Sequence, residues 1–370
     1  MQLRINDRSI YAPIRYEATR PYATRFGRAF MIESERGRDA RQAHVLTLPP
    51  LLQNAIEKLG RITGPNTVQD EALNIQVFGY FLNAGKVIYD VAQPLTQALI
   101  HVDADEIPCS ALELPFPSLY LHFGATSGLA DEVRPIEGAF VMRHEVQHLL
   151  IIALVPRGFG QRQFFRLTSG ETMTTVSVDI SQGDKSVVAA LNDSITEILA
   201  KDHATMEMIA QIERRTPGAT DGATSAFAHL ETKAPLLRKA LSLIVNTLCF
   251  VQAEPDDEVE DWGADVPAEA IKALKAADKP GPRSLLENIL VKAFYMKVRY
   301  LGQRFATSVE AREFHEAITT GRVQSTHIRR GHYRRQPYGP ERSLVRTILI
   351  RPVLVNASKG DLQGRVYQVI

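Results

Sequence analysis

Residues 138–156 read GAFVMRHEVQHLLIIALVP, and whether they form a helix or extended chain decides both the fold class and one candidate chemistry. Within them HEVQH matches the H-E-x-x-H of zinc peptidases. That chemistry needs His144 and His148 one helical turn apart on a single Zn²⁺, Glu145 to activate the metal-bound water, and a third ligand from downstream. The flanking residues oppose a helix. Phe140, Val141, Val146, Ile151, Ile152 and Val155 favour strand, and Gly138 and Pro156 bracket the run. In a strand the two histidines share a face with Cα atoms roughly 13 Å apart, too far for one ion, and no downstream third ligand stands out. HEVQH is therefore read as half-exposed strand and His144, Glu145 and His148 as a decoy, with no metal expected. A zinc peptidase stands third among the functional readings.

The rest of the chain supports a sheet at this position. Its 370 residues are 45% apolar and 23% charged, enough to bury a large core. The formal net charge of +1 argues against coating nucleic acid or membrane through a global field, so electrostatic work must be local. Cys109 and Cys249 lack metal-ligand spacing and suit a reducing cytoplasm, each as a small buried hydrophobe. The amino-terminal residues carry no apolar leader, and no window is read as reaching the roughly 18–20 apolar residues of a membrane span. The expectation is a cytoplasmic protein with no membrane partner. The longest apolar run, LLIIALV at 149–155, has the length of a buried strand.

Working outward, SLYLHF, GAFVMRHEV, HLLIIALV, FFRLT and TTVSVDI are short, β-branched and aromatic, and separated by turn residues, which predicts an antiparallel meander. The spacing of apolar residues predicts helices over 184–201 and 233–253, the second starting near Pro235 and central. Residues 1–105 form a helical amino-terminal region: an extended arm, a short helix around TRFGRAFMIESER, and two or three helices over 49–101 led by Pro49 and Pro50. Residues 106–253 hold the sheet and its helices. Residues 254–284, beginning EPDDEVED, are predicted to be an acidic loop or linker. Residues 285–370 form a carboxyl-terminal β unit, with a helix or strand at 285–301 and a short helix at 308–318. The class is α+β, and one interwoven domain is favoured, because the closing strands lack enough partners to stand alone.

That unit carries the densest chemistry, STHIRRGHYRRQPYG at 325–339. On a strand, His327, Arg329, Gly331, Tyr333 and Arg335 share one face and Ile328, Arg330, His332 and Arg334 the other. Cations on both faces need an edge position, acidic partners or an anionic ligand. Gly331 weakens a strand and belongs where a bulge forms or another backbone comes close. Arg342, Arg346 and Arg351 extend the positive field, with Glu341 the sole acid from 322 to 351. Three uses are open. The arginines can pair with the acids of 254–261. Arg329, Arg330, Gly331, Tyr333, Arg334, Arg335 and Arg346 can bind RNA or another anion, with Tyr333 or Tyr338 stacking on a base. His327 or His332 can act as general acid or base in a metal-independent ribonuclease, although a non-enzyme is favoured. No cofactor is implied.

THIRRGHYRRQPYG followed by RTILIRPVLVN resembles the carboxyl-terminal signature of the anti-CRISPR family that suppresses synthesis of the type V-A effector nuclease, with its plasmid- and phage-borne relatives. His327, Ile328, Arg329, Arg330, Gly331, His332 and Tyr333 fill its first part, Tyr333 standing where tryptophan is usual; Pro352, Val355 and Asn356 fill the second. Leu114, Pro115 and Tyr120, the SVVAALND segment, and Cys249, Glu254 and Pro255 agree in order, so the likeness spans about 110–356. HEVQH is not shared. The resemblance implies a mobile-element regulator that recognises a target's nascent polypeptide and lowers its mRNA, with RNA or the ribosome as further partner.

Overall fold

The computed structural model describes residues 3–36, 65–124, 127–131, 134–161, 173–215, 229–307, 326–329, 331–350 and 353–356. In chain order they form α1 (Ala12–Thr19), α2 (Pro21–Arg36), α3 (Pro65–Asn83), β1 (Ile88–Val91), α4 (Gln93–Leu99), β2 (Val102–Asp103), β3 (Ser118–His122), β4 (Ile136–His144), β5 (Leu149–Pro156) and β6 (Thr174–Asp179). There follow α5 (Val187–Arg215), α6 (His229–Ala253), β7 (Val259–Trp262), α7 (Ala268–Ala276), α8 (Pro280–Lys292), β8 (Lys297–Leu301), α9 (Gln303–Ala306), β9 (Thr326–Arg329), β10 (Gly331–Tyr338), β11 (Leu344–Ile350) and β12 (Val353–Asn356). The expected α+β class is observed. The 308–318 helix, the FFRLT strand and the 49–64 part of the expected amino-terminal helices lie outside the described residues.

The stretch 138–156 is a hairpin inside a seven-stranded sheet of order β6-β5-β4-β3-β1-β8-β7. The meander β3 to β6 is antiparallel, β1 runs parallel to both β3 and β8, and β7 is antiparallel to β8. Alternation sorts the strands between two cores. Leu119, Leu121, Ala139, Val141, Leu150, Ile152, Leu154, Val176 and Val178 face α4, α5 and α6. Tyr120, Phe140, Met142, Ile151, Ala153 and Val155 face α1, α2 and α3. A sheet covered on both faces explains why LLIIALV is apolar without alternation. Each fully buried aliphatic side chain here stabilises by roughly 1.5–3 kcal/mol.

Five expectations are corrected. HEVQH is not half-exposed strand: His144 pairs with Leu149, and residues 145–148 reverse the chain. Glu145, Val146 and Gln147 are exposed and His148 adopts φ 50°, so polarity and backbone both suit a turn. The arm ahead of the TRFGRAFMIESER helix is not extended throughout, because it holds α1, which lies buried with Tyr11, Ala12, Ile14 and Tyr16 at 0–3% exposure. The helical amino-terminal region also contributes β1 and β2. Residues 254–284 hold a 3-10 turn at Pro255–Asp257, the edge strand β7, and helix α7, which packs on α8 around Val266, Ala270, Leu274 and Leu290. Finally, Thr232–Ala253 is long and apolar enough to cross a membrane by length and composition. In the fold it is the central helix, with Leu237, Leu241, Ile244, Leu248 and Phe250 in the core and Pro235 within its second turn.

Candidate functional site

The histidines of HEVQH flank a turn. His144 is the last residue of β4, and its Nδ1 accepts the backbone N–H of Gln147 at 3.2 Å. The His148 carbonyl accepts the N–H of Ile180 at 2.9 Å. Glu145 lies 3.4 Å from Arg143. Among the described residues no group of three or more His, Cys, Asp or Glu is arranged to hold a metal.

The basic segment forms two antiparallel ladders in separate sheets, together the basic ribbon. β10 pairs antiparallel with β11, Tyr333 opposite Leu349, Arg335 opposite Thr347 and Gln336 opposite Arg346. β9 pairs with β12, His327 opposite Val355 and Thr326 opposite Asn356. Both ladders keep one register, since Arg329 opposes Val353 and His332 opposes Ile350. Another backbone does come close: Gly331 and His332 pair in parallel with Val102 and Asp103 of β2. β2 is held in turn by Asn246 of α6, whose amide donates to the carbonyls of Leu99 and Val102 at 3.0 and 2.9 Å. β11 lies against the same helix. Arg334, Pro337, Tyr338 and Leu344 are exposed along the ribbon. Arg330 and Pro352 lie outside the described residues.

Among the acids after α6, Glu258 and Glu260 have a cation partner on β8. Arg299 on β8 pairs with Glu258, lies 3.3 Å from Glu260 and stacks its guanidinium 4.9 Å from the Phe116 ring centre. The Tyr89 hydroxyl donates to Glu258 at 3.2 Å. Burial and that neighbouring carboxylate push the tyrosine well above its usual pKa.

Beside this cluster, Phe250, Glu254, Asp257, Arg304 and Phe305 line a pocket of about 400 Å³, counting its open mouth. The local sequence builds it. Helix α6 ends at Ala253, where Glu254 still donates its N–H to Phe250 O at 2.9 Å, and Pro255 then starts the 3-10 turn that brings Asp257 inward. From the other side Gly302 ends β8 at φ 79° with Leu95 packed where a Cβ would sit, a conformation open to glycine. That turn presents α9, whose Arg304 N–H donates to Asp257 Oδ1 at 2.8 Å. Asp257 is 5% exposed, and its Oδ2 has no hydrogen-bond partner among the described residues. Phe250 and Phe305, at 1% and 6%, are the apolar wall. The resemblance had singled out Glu254 and Pro255; Asp257, Arg304 and the two phenylalanines were missed. The one sequence signal for them is a long apolar helix with no basic residue in its last turn, followed at once by acids.

A model of the AcrVA2-like family, described as anti-CRISPR type V subtype A2, matches residues 89–357, an interval that contains the pocket and the ribbon. No curated protein matches the chain. Among solved structures, the chain titled "Crystal structure of AcrVA2" is similar at 16% identity and a TM-score of 0.45, over 94% of this chain and 100% of that one.

Proposed function

This chain belongs to the AcrVA2-like family of anti-CRISPR proteins, type V subtype A2, and from that membership we propose that it acts on the synthesis of its target, recognising the nascent polypeptide and lowering the target's mRNA. Its place is that of a mobile-element anti-CRISPR protein. The observation that supports the finer reading is the pair of surfaces built on helix α6. The helix's carboxyl end borders an acidic, part-apolar pocket suited to a peptide group, and β11 of the basic ribbon lies against the same helix. A regulator that meets a nascent chain and its message together needs two such surfaces of opposite sign. Peptide recognition draws on pockets and main-chain donors. RNA or ribosome contact draws on exposed arginines such as Arg334 and on stacking by an exposed aromatic such as Tyr338.

The test is a pair of reporter messages, with and without the first codons of a type V-A effector nuclease, expressed beside this protein. Only the message carrying those codons is expected to fall. Equal abundance of both refutes the reading. Arg334→Glu should weaken RNA association and flatten its dependence on salt by about one phosphate contact.

A further inference from the structure

We propose that the pocket at the carboxyl end of α6 seats the free amino terminus of a polypeptide. The α-ammonium lies on Asp257 and Glu254, the first carbonyl oxygen on Arg304, and an apolar first side chain against Phe250 and Phe305. The assignment rests on the peptide-recognition reading above and specifies where and by what chemistry the peptide is read.

Three independent features of the molecule lead to an ammonium. Asp257 is 5% exposed with Oδ2 unpartnered among the described residues, a buried carboxylate oxygen that needs a donor. The pocket also borders the negative end of a 25-residue helix dipole with no basic residue in the last turn, where Glu254, Asp256 and Asp257 follow in place of the cations such an end favours. The third feature narrows which cation. Arg304 lines the same pocket as Glu254 and Asp257 and brings a cationic residue to it. It would repel a bare metal ion and has nothing to bind on a lysine side-chain ammonium. An ammonium with a carbonyl two bonds away satisfies both charges, and that grouping is the first residue of a peptide or a free amino acid. Phe250 and Phe305 add an apolar surface and an aromatic attraction for the cation. The volume admits about one residue, so the pocket reads the terminus and the following residues pass outside. A formylated terminus carries no charge, so the site discriminates chains that have lost their formyl group.

The experiment is calorimetric titration of the full chain with three probes: Met-Leu-Gly amide, the same peptide with an N-formyl group, and free methionine. The expected result is binding of the unblocked peptide, weakened at least tenfold by formylation and by Asp257→Asn, and weakened also by Arg304→Gln. Asparagine keeps the Oδ1 acceptor for the Arg304 N–H while removing the charge, so Asp257→Asn should melt at the wild-type temperature or above. A lower melting temperature would mark Asp257 as a structural carboxylate and overturn the assignment. So would equal binding of blocked and unblocked peptide, no binding of either, or binding indifferent to Asp257→Asn. Free methionine binding as tightly as the peptide would assign the pocket to an amino acid instead. Peptide binding without any change in reporter message sinks the mRNA reading and leaves the pocket standing; a reporter effect without peptide binding does the reverse.

Discussion

Replacing Arg15 by methionine should be among the most damaging single changes on the amino-terminal side of the sheet. The guanidinium, on a residue 3% exposed, donates from Nε to the Phe159 carbonyl at 3.1 Å and from Nη1 to those of Ser9 and Ile10 at 2.7 and 2.9 Å. Nη2 pairs with Glu137 of β4, itself 6% exposed. It thereby ties α1, β4 and the turn after β5 together. Methionine fills much of the volume but leaves a buried carboxylate without its paired cation, with the Gly158 N–H and the charge of Arg157 as its remaining support. That carboxylate escapes by taking a proton, which at pH 7 costs about 1.4 kcal/mol for each of roughly 2.7 pH units above its ordinary pKa, about 4 kcal/mol. Carbonyls left without donors add about 1 kcal/mol. At pH 5 the proton costs only about 1 kcal/mol, for a total of about 2.

The sign follows from proton counting. Burial raises the Glu137 carboxyl and Arg15 pulls it down. Without Arg15 the folded state keeps a proton that the unfolded state has released, so stability is lost as pH rises through this window. Urea unfolding at a slope of about 3 kcal/mol per molar should show the midpoint falling by about 1.7 M at pH 7 and about 0.7 M at pH 5. Adding Glu137→Leu should recover most of the loss. A drop below about 0.3 M at pH 7, or the same drop at both pH values, would refute the account of Glu137 as a buried charge dependent on Arg15.

Four more perturbations follow. Burial, then the charge of Arg15, lowers the His122 pKa to about 4, so between that value and about 6.5 the unfolded chain binds the proton and stability falls as pH falls; His122→Gln should remove a loss on the order of 3 kcal/mol by pH 4, seen as a flatter plot of urea midpoint against pH. Gly138→Ala sets a Cβ against the Tyr120 hydroxyl and the Leu121 carbonyl and should cost about 3 kcal/mol or prevent folding. Tyr120→Phe, which removes a buried hydroxyl with no partner, should leave the melting temperature unchanged or higher. Cys249, its thiol pushed up to about 12 by burial, and buried Cys109 should both resist a thiol reagent at pH 8 until denaturant is added; fast native-state labelling of either would contradict their burial.

The meander from β3 to β6 was legible because strands buried on both faces leave long apolar runs, and Ile151 to Val155 carry that mark plainly. The parallel strand β1 was not. Its four residues, Ile88–Val91, sit between helical patterns, and both of its neighbours are brought to it from elsewhere in the chain. β7 escaped for the opposite reason. An edge strand with Val259, Glu260 and Asp261 exposed shows no apolar alternation and reads as a solvated loop. The basic ribbon was visible as a cluster of charge on extended chain, but its attachment to β2 through Gly331 depends on a partner of two residues. The pocket is written in two separate places, the end of α6 with the turn that follows it and the start of α9, and only folding brings them together. Arg15, in the otherwise ordinary PIRYE, finds Glu137 at a separation of 122 residues, which no local pattern encodes.

The position of β8 beside β1 sets an order of events during synthesis. Tyr89 pairs with Arg299 and Val91 with Leu301, so the middle of the sheet closes across some two hundred residues of intervening chain. Until Leu301 has left the ribosome, one side of β1 is an open edge of a largely apolar sheet, and the pocket lacks Arg304 and Phe305. Long-range parallel pairing is slow because loop closure precedes any reward from the contacts. The anti-CRISPR therefore acquires its candidate reading site late in its own translation, and shortened chains that stop before β8 should emerge sticky and without peptide-binding capacity.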